Sequence, residues 1–181
     1  MPISRTVSIP SRPSALPRDR NVANGPFYRS APRHSCALTG SISGSARAAA
    51  ADTLELLTPD DTPLAAFTFP RQSAGERLCL ADYVRDDIDD YVALFAVTCG
   101  EGVRERAETL KECGDYLKSH ALQALAIECA EAFAEMLHAR LRTLWGFPDP
   151  PDLSIGDKLK AHYRGLRVSF GYPACSNLAD Q

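Results

Sequence analysis

The segment from about Tyr116 to Leu144 constrains the fold most. It puts Leu122, Leu125, Cys129, Phe133, Met136, Leu137 and Leu141 on one stripe at three- and four-residue steps. That spacing predicts a long helix with an apolar face to bury, hence the spine of a domain. The strongest strand precedes it. Tyr91–Thr98 is β-branched, aromatic and nearly continuous in apolar character, as expected of a strand central in a sheet. Thr53–Leu57 and Leu64–Phe69 flank Pro59-Asp-Asp-Thr-Pro, a turn-rich link that suits two antiparallel strands. A helix is expected from Gly102 to about Cys113, with Gly114 as a break. Ser154 is a good N-cap for a short helix that Gly165 stops, after which Arg167 begins a loop. Lys158, Lys160 and Arg164 suit the dipole of that helix. The body is therefore mixed α and β.

With 181 residues, 45% of them hydrophobic, the chain can bury a core. No apolar run nears the roughly 20 residues of a membrane helix. The net charge of -3 is unevenly spread: residues 1–50 hold seven Arg and one Asp, +6, leaving -9 on the rest. An acidic body gives no electrostatic reason to expect nucleic acid. Residues 1–50 are rich in Ser, Pro, Arg and Ala with little periodicity, and are expected to be mostly disordered, with the folded domain spanning 51–181. Their composition matches that of a transit peptide, but Pro2, Pro10, Pro13 and Pro17 interrupt the amphipathic helix such a peptide needs. No apolar segment of a secretory signal follows the start. The six cysteines then read as reduced thiols, with Cys79, Cys99 and Cys129 as packed core residues. No Cys-x-x-Cys pair is present, so no zinc site is expected.

Chemistry concentrates near the C-terminus. Arg167 precedes Gly171-Tyr172-Pro173. Arg offers a permanently charged planar fork for a carboxylate, and Gly171 and Pro173 bracket Tyr172 with one permissive and one fixed backbone position. The same residues also suit a plain surface loop, with the Tyr172 ring on the core and the guanidinium solvated. Glu135 and His138 have the Glu-x-x-His spacing of a di-iron site. A single copy without further carboxylates favours a surface or helix-end pair. Glu131, four residues from Glu135, places two like charges on one helix face, which is either costly or simply solvated.

Three ordered segments carry a resemblance. They are Phe69-Pro-Arg-Gln followed by Leu78-Cys-Leu-Ala-Asp-Tyr-Val84; Ala130-Glu-Ala-Phe-Ala-Glu-Met-Leu-His138 to Arg140 with the later Trp145-Gly146; and Tyr163 to Cys175. Together they resemble the reactivation (S-adenosylmethionine-binding) domain of cobalamin-dependent methionine synthase, over roughly residues 53–181 and truncated at both ends. The resemblance implies an α+β fold, a twisted antiparallel sheet flanked by helices. It implies a reactivation module that binds S-adenosylmethionine and presents its methyl group to a cobalamin held by a partner module, during reductive remethylation of cob(II)alamin in methionine biosynthesis.

By the same resemblance Arg167 holds the methionyl carboxylate, Ser169, Gly171 and Tyr172 contribute loop contacts and a ring wall, and Glu131 faces the cleft. No catalytic side chain and no metal site is expected. The chain has no cobalamin-binding Asp-x-His-x-x-Gly motif of its own. The expected partners are a cobalamin-binding module and a flavodoxin-like electron donor, in the cytoplasm, without nucleic acid or membrane. Ala161 stands where the family can carry a carboxylate, Ser169 where close relatives have Ala, and Ser176 replaces a Pro. The family's opening helices have no counterpart in residues 1–50, and the chain stops a few residues beyond the turn. Two other readings stay open: a non-catalytic relic or interaction module that keeps the scaffold without a complete ligand site, and a ligand-binding domain of unrelated ancestry.

Overall fold

The computed structural model describes residues 3–9, 37–58, 60–85, 90–100, 102–175 and 177. Six strands form one sheet: β1 Ile3–Ile9, β2 Ala37–Ala50, β3 Thr53–Leu57, β4 Pro63–Thr68, β5 Asp90–Thr98 and β6 Leu166–Ser169. Their order is β4-β3-β2-β5-β1-β6, and every pairing is antiparallel. The helices are α1 Val103–Glu112, α2 Tyr116–Leu144 and α3 Ile155–Leu159. The architecture is α+β, and β5 is central as its composition implies.

The near-continuous apolar character of β5 has a structural cause, since both of its faces are covered. Ala93, Phe95 and Val97 join Ala134, Leu137, Leu141, Trp145 and Phe147 in one cluster beneath α2, with Tyr91 and Phe133 against it. Val92, with Leu94 beside it, faces a second cluster containing Leu54, Leu56, Phe69, Cys79, Leu80, Val168, Ala174 and Cys175. Burying each of the larger side chains is worth about 1.5–3 kcal/mol, so these clusters hold helix, sheet and the 69–85 segment together. That segment is fastened by Arg71, whose guanidinium pairs with Asp82 and also donates to the carbonyls of Arg77 and Ala51, both at 2.9 Å.

Residues 1–50 do not behave as one disordered segment: Ile3–Ile9 and Ala37–Ala50 are strands on either side of β5. Backbone pairing with a strongly formed central strand needs no hydrophobic periodicity in the partner, which is why composition misled here. Residues 10–36 lie outside the described residues. The α2 helix has the expected bounds, and the expected stripe is buried in part: Leu137 and Leu141 are in the core and Phe133 packs against it, but the buried face is displaced toward small residues. Ala126, Ala130, Ala134, Leu137, His138, Leu141 and Arg142 are buried, whereas Leu125 is 62% exposed and Met136 59%. Small Ala side chains let the helix backbone approach its neighbours, so closeness rather than apolar volume selected the face. The N-terminal half of α2 packs against α1, where Ser119 Oγ donates to the Ala107 carbonyl at 2.8 Å.

Ser154 caps α3 by accepting from the Asp157 N–H at 3.1 Å. The helix ends at Leu159, with Ala161 in the left-handed region, and Gly165 opens β6 rather than closing the helix. Cys79 and Cys175 are core residues, while Cys99 and Cys129 are only half-buried. Among the described residues no helix is long and apolar enough to cross a membrane.

Candidate functional site

Arg167 is a strand residue, not the start of a loop. In β6, Leu166 and Val168 point to the cluster around Cys79 and Leu80, as does Phe170 just beyond it. Strand alternation therefore sends Arg167 and Ser169 to the opposite face, toward α2. Arg167 Nη1 donates to Glu131 Oε2 at 3.3 Å, and Nη2 lies 3.4 Å from Glu135 Oε2. The like charges of Glu131 and Glu135 are thus resolved by one cation held between them. The side chain of Arg167 is only 18% exposed, and its Nε has no hydrogen-bond partner in the structure.

The turn that follows is a close-packed backbone. Gly171 sits at φ 95°, where a Cβ would be strained. Its N–H donates to the Cys175 carbonyl at 2.8 Å, the Tyr172 N–H donates to the Ser169 carbonyl at 3.2 Å, and the Cys175 N–H donates to the Tyr172 carbonyl at 2.9 Å. Buried Ala174 and Cys175 anchor the turn to the core. The ring of Tyr172, however, is 63% exposed. The plain-loop expectation is inverted: the guanidinium is enclosed and the ring is out.

Behind Glu135 lies a buried polar cluster. Arg142 is wholly buried and forks onto Asp149, with Nε to Oδ1 at 2.6 Å and Nη2 to Oδ2 at 2.7 Å. Such a bidentate pair is the arrangement that makes a buried guanidinium tolerable, and it holds the Asp149 carboxyl below its usual range. Arg142 Nη1 donates to His138 Nδ1 at 2.7 Å. An Arg has no acceptor, so His138 is neutral and carries its proton on Nε2. Burial, reinforced by Arg142 and Arg167, lowers the His138 pKa to about 3. The Arg142 guanidinium lies 3.8 Å over the ring of Tyr163, and His138 meets that ring edge-on at 5.3 Å. The Tyr163 hydroxyl donates to Glu135 Oε2 at 3.0 Å. Burial and the neighbouring Glu135 carboxylate raise its pKa.

Glu135 and His138 are therefore not a surface or helix-end pair: His138 is buried and satisfied at Nδ1 by Arg142. Among the described residues no group of three or more His, Cys, Asp or Glu side chains comes together to hold a metal ion. Of the expected site residues, Arg167, Ser169 and Glu131 share the α2 side of β6, Gly171 shapes the turn, and Tyr172 stands at the surface. Sequence reasoning passed over Arg142, Asp149 and Tyr163. The available signal was His138 and Arg142 one turn apart on the helix face that packs on the sheet.

A single antiparallel sheet backed by one long helix, with an enclosed Arg held between helix carboxylates, defines an α+β domain whose polar centre lies between β6 and α2. The model of the vitamin B12 dependent methionine synthase activation domain matches residues 41–181, and the chain belongs to that family. The fold also matches the crystal structure of the MetH reactivation domain bound to AdoHcy, with a TM-score of 0.66 at 30% identity. That match covers 75% of this chain but only 45% of the solved one, so the chain spans less than half the length of that relative.

Proposed function

We propose that this chain is a reactivation module that binds S-adenosylmethionine through Arg167 and acts with a cobalamin-bearing partner. One observation carries the reading: an enclosed guanidinium with an unpartnered Nε, facing carboxylates on one side of the sheet. A ligand carboxylate arriving at Arg167 can take Nη1 from its present partner, Glu131, a surface residue able to yield, while the unpartnered Nε–H lies on the Nη2 side, toward Glu135. The ammonium of a zwitterionic α-amino acid end meets the Glu131 carboxylate in turn. Gly171 lets the turn backbone approach a ligand, Ser169 shares the Arg167 side of β6, and the exposed Tyr172 ring supplies an apolar wall.

The residues thus fit the amino-acid end of the ligand, and their task is orientation, since methyl transfer depends on alignment of the reacting atoms. When bound by its own module, cobalamin supplies the methyl-accepting cobalt centre, and this chain contributes no nucleophile. A flavodoxin-like donor of electrons and a cytoplasmic setting complete the proposal. Titration calorimetry with S-adenosylmethionine tests it. Submillimolar binding that Arg167→Ala weakens is expected, and no heat from the unaltered chain at millimolar ligand overturns it. That second result favours an interaction module that keeps the scaffold without a complete ligand site, a reading supported by the two carboxylates that already occupy both Nη atoms of Arg167.

A further inference from the structure

The contacts behind Arg167 form one continuous path. Asp149 grips both sides of the Arg142 fork, Arg142 stacks on the Tyr163 ring, the Tyr163 hydroxyl donates to Glu135 Oε2, and that same oxygen faces Arg167 Nη2. Each link removes a freedom from the next. A long Arg side chain loses rotamer entropy when it is fixed, and a binding site that has already lost it gains affinity by preorganisation. Glu135 on a bare helix face would sample several rotamers. Here Tyr163 fixes one of its oxygens, while Oε1 lies 3.9 Å from Arg142 Nη2.

The path is also incomplete. Arg167 Nε is buried without a hydrogen-bond partner at the end that faces the proposed ligand; Glu135 Oε1 and His138 Nε2 are also unpartnered, on the Arg142 side, whereas Arg142 and Asp149 pair with each other. Buried polar groups are rarely left so unless something else completes them.

We infer that Tyr163 and Arg142 are positioning residues, which hold Glu135, and through it the Arg167 guanidinium, in the orientation that receives the carboxylate of an S-adenosyl ligand. The inference rests on the proposed ligand reading. It assigns a role in recognition to a Tyr in the link between α3 and β6 and to a wholly buried Arg, neither of which needs to touch the ligand.

The test uses Tyr163→Phe, which keeps the ring under Arg142 and removes only the hydroxyl, with Arg142→Lys as a charge-keeping second variant. Calorimetry compares S-adenosylhomocysteine with 5′-methylthioadenosine, which has no amino-acid end. Exchange of the Arg167 Nε–H with water is followed by nitrogen-15 NMR without ligand. Tyr163→Phe is expected to weaken S-adenosylhomocysteine about tenfold, leave 5′-methylthioadenosine unchanged, and speed Nε–H exchange. A merely structural hydroxyl lowers the melting temperature without separating the two ligands. Equal effects on both ligands, or none, with Nε–H exchange unaltered, overturn the inference. If the unaltered chain binds neither ligand, the ligand reading fails, and the NMR comparison alone decides the positioning: faster exchange in Tyr163→Phe supports it and unchanged exchange overturns it.

Discussion

Acid should weaken this domain through His138 before its carboxylates protonate. In the folded chain Nδ1 accepts from Arg142 and the ring is wholly buried, beside Arg142 and Arg167 with Asp149 opposing them, so the pKa falls to about 3. In the unfolded chain the ordinary value is about 6.5. Above that value neither state carries the proton, and the contribution of the neutral ring is fully present. Between the two values the unfolded chain takes up a proton that the folded chain refuses, so stability drops as pH falls, by about 1.4 kcal/mol per pH unit. From pH 6.5 to 4.5 this amounts to roughly 2–3 kcal/mol, a large share of the ~5–15 kcal/mol that holds a typical domain.

Asp82, Asp149 and Asp157 have lowered pKa values, and what they contribute disappears only below the ordinary carboxyl range near 4. The window from 6.5 to 4.5 therefore isolates the imidazole. His138→Asn retains an oxygen to accept from Arg142 but does not titrate. Urea unfolding followed by circular dichroism at half-unit pH steps measures both proteins, and groups common to the two cancel in the difference. The unaltered chain should lose the stated 2–3 kcal/mol relative to the variant. Parallel pH profiles for the two proteins would refute the argument.

Two further substitutions probe the packing. Ala134→Leu puts added volume where α2 meets β5 and should cost about 1–3 kcal/mol, while Met136→Ala, two residues on but at the surface, should stay within about 0.5 kcal/mol; the reverse order in urea unfolding would mean that Met136, not Ala134, faces the sheet. Gly100→Ala forces an L residue to φ 76° and brings its Cβ within 2.2 Å of Val103 Cγ2. A loss of about 1–3 kcal/mol in thermal unfolding is expected, and an unchanged melting temperature would show that the entry to α1 is free to relax.

Local physics made much of the framework readable from the residues alone. β5 announces itself by β-branched and aromatic side chains, α2 by its length and periodicity, and α3 by the Ser154 cap; the motif around Arg167 pointed to the family. These are short-range properties, because propensity, capping and turn chemistry act within a few residues along the chain. Tertiary structure decided what proximity controls. It recruited Ile3–Ile9 and Ala37–Ala50 into the sheet, although their composition resembles that of unstructured tails. It turned the Ala face of α2 inward. It buried His138 and Arg142, which become tolerable only because Asp149, from a later segment, arrives to pair with the guanidinium. Arg167 itself was legible as a cation suited to a carboxylate. That it faces two glutamates on a helix more than thirty residues earlier followed only from strand alternation in β6 and the course of α2 across the sheet.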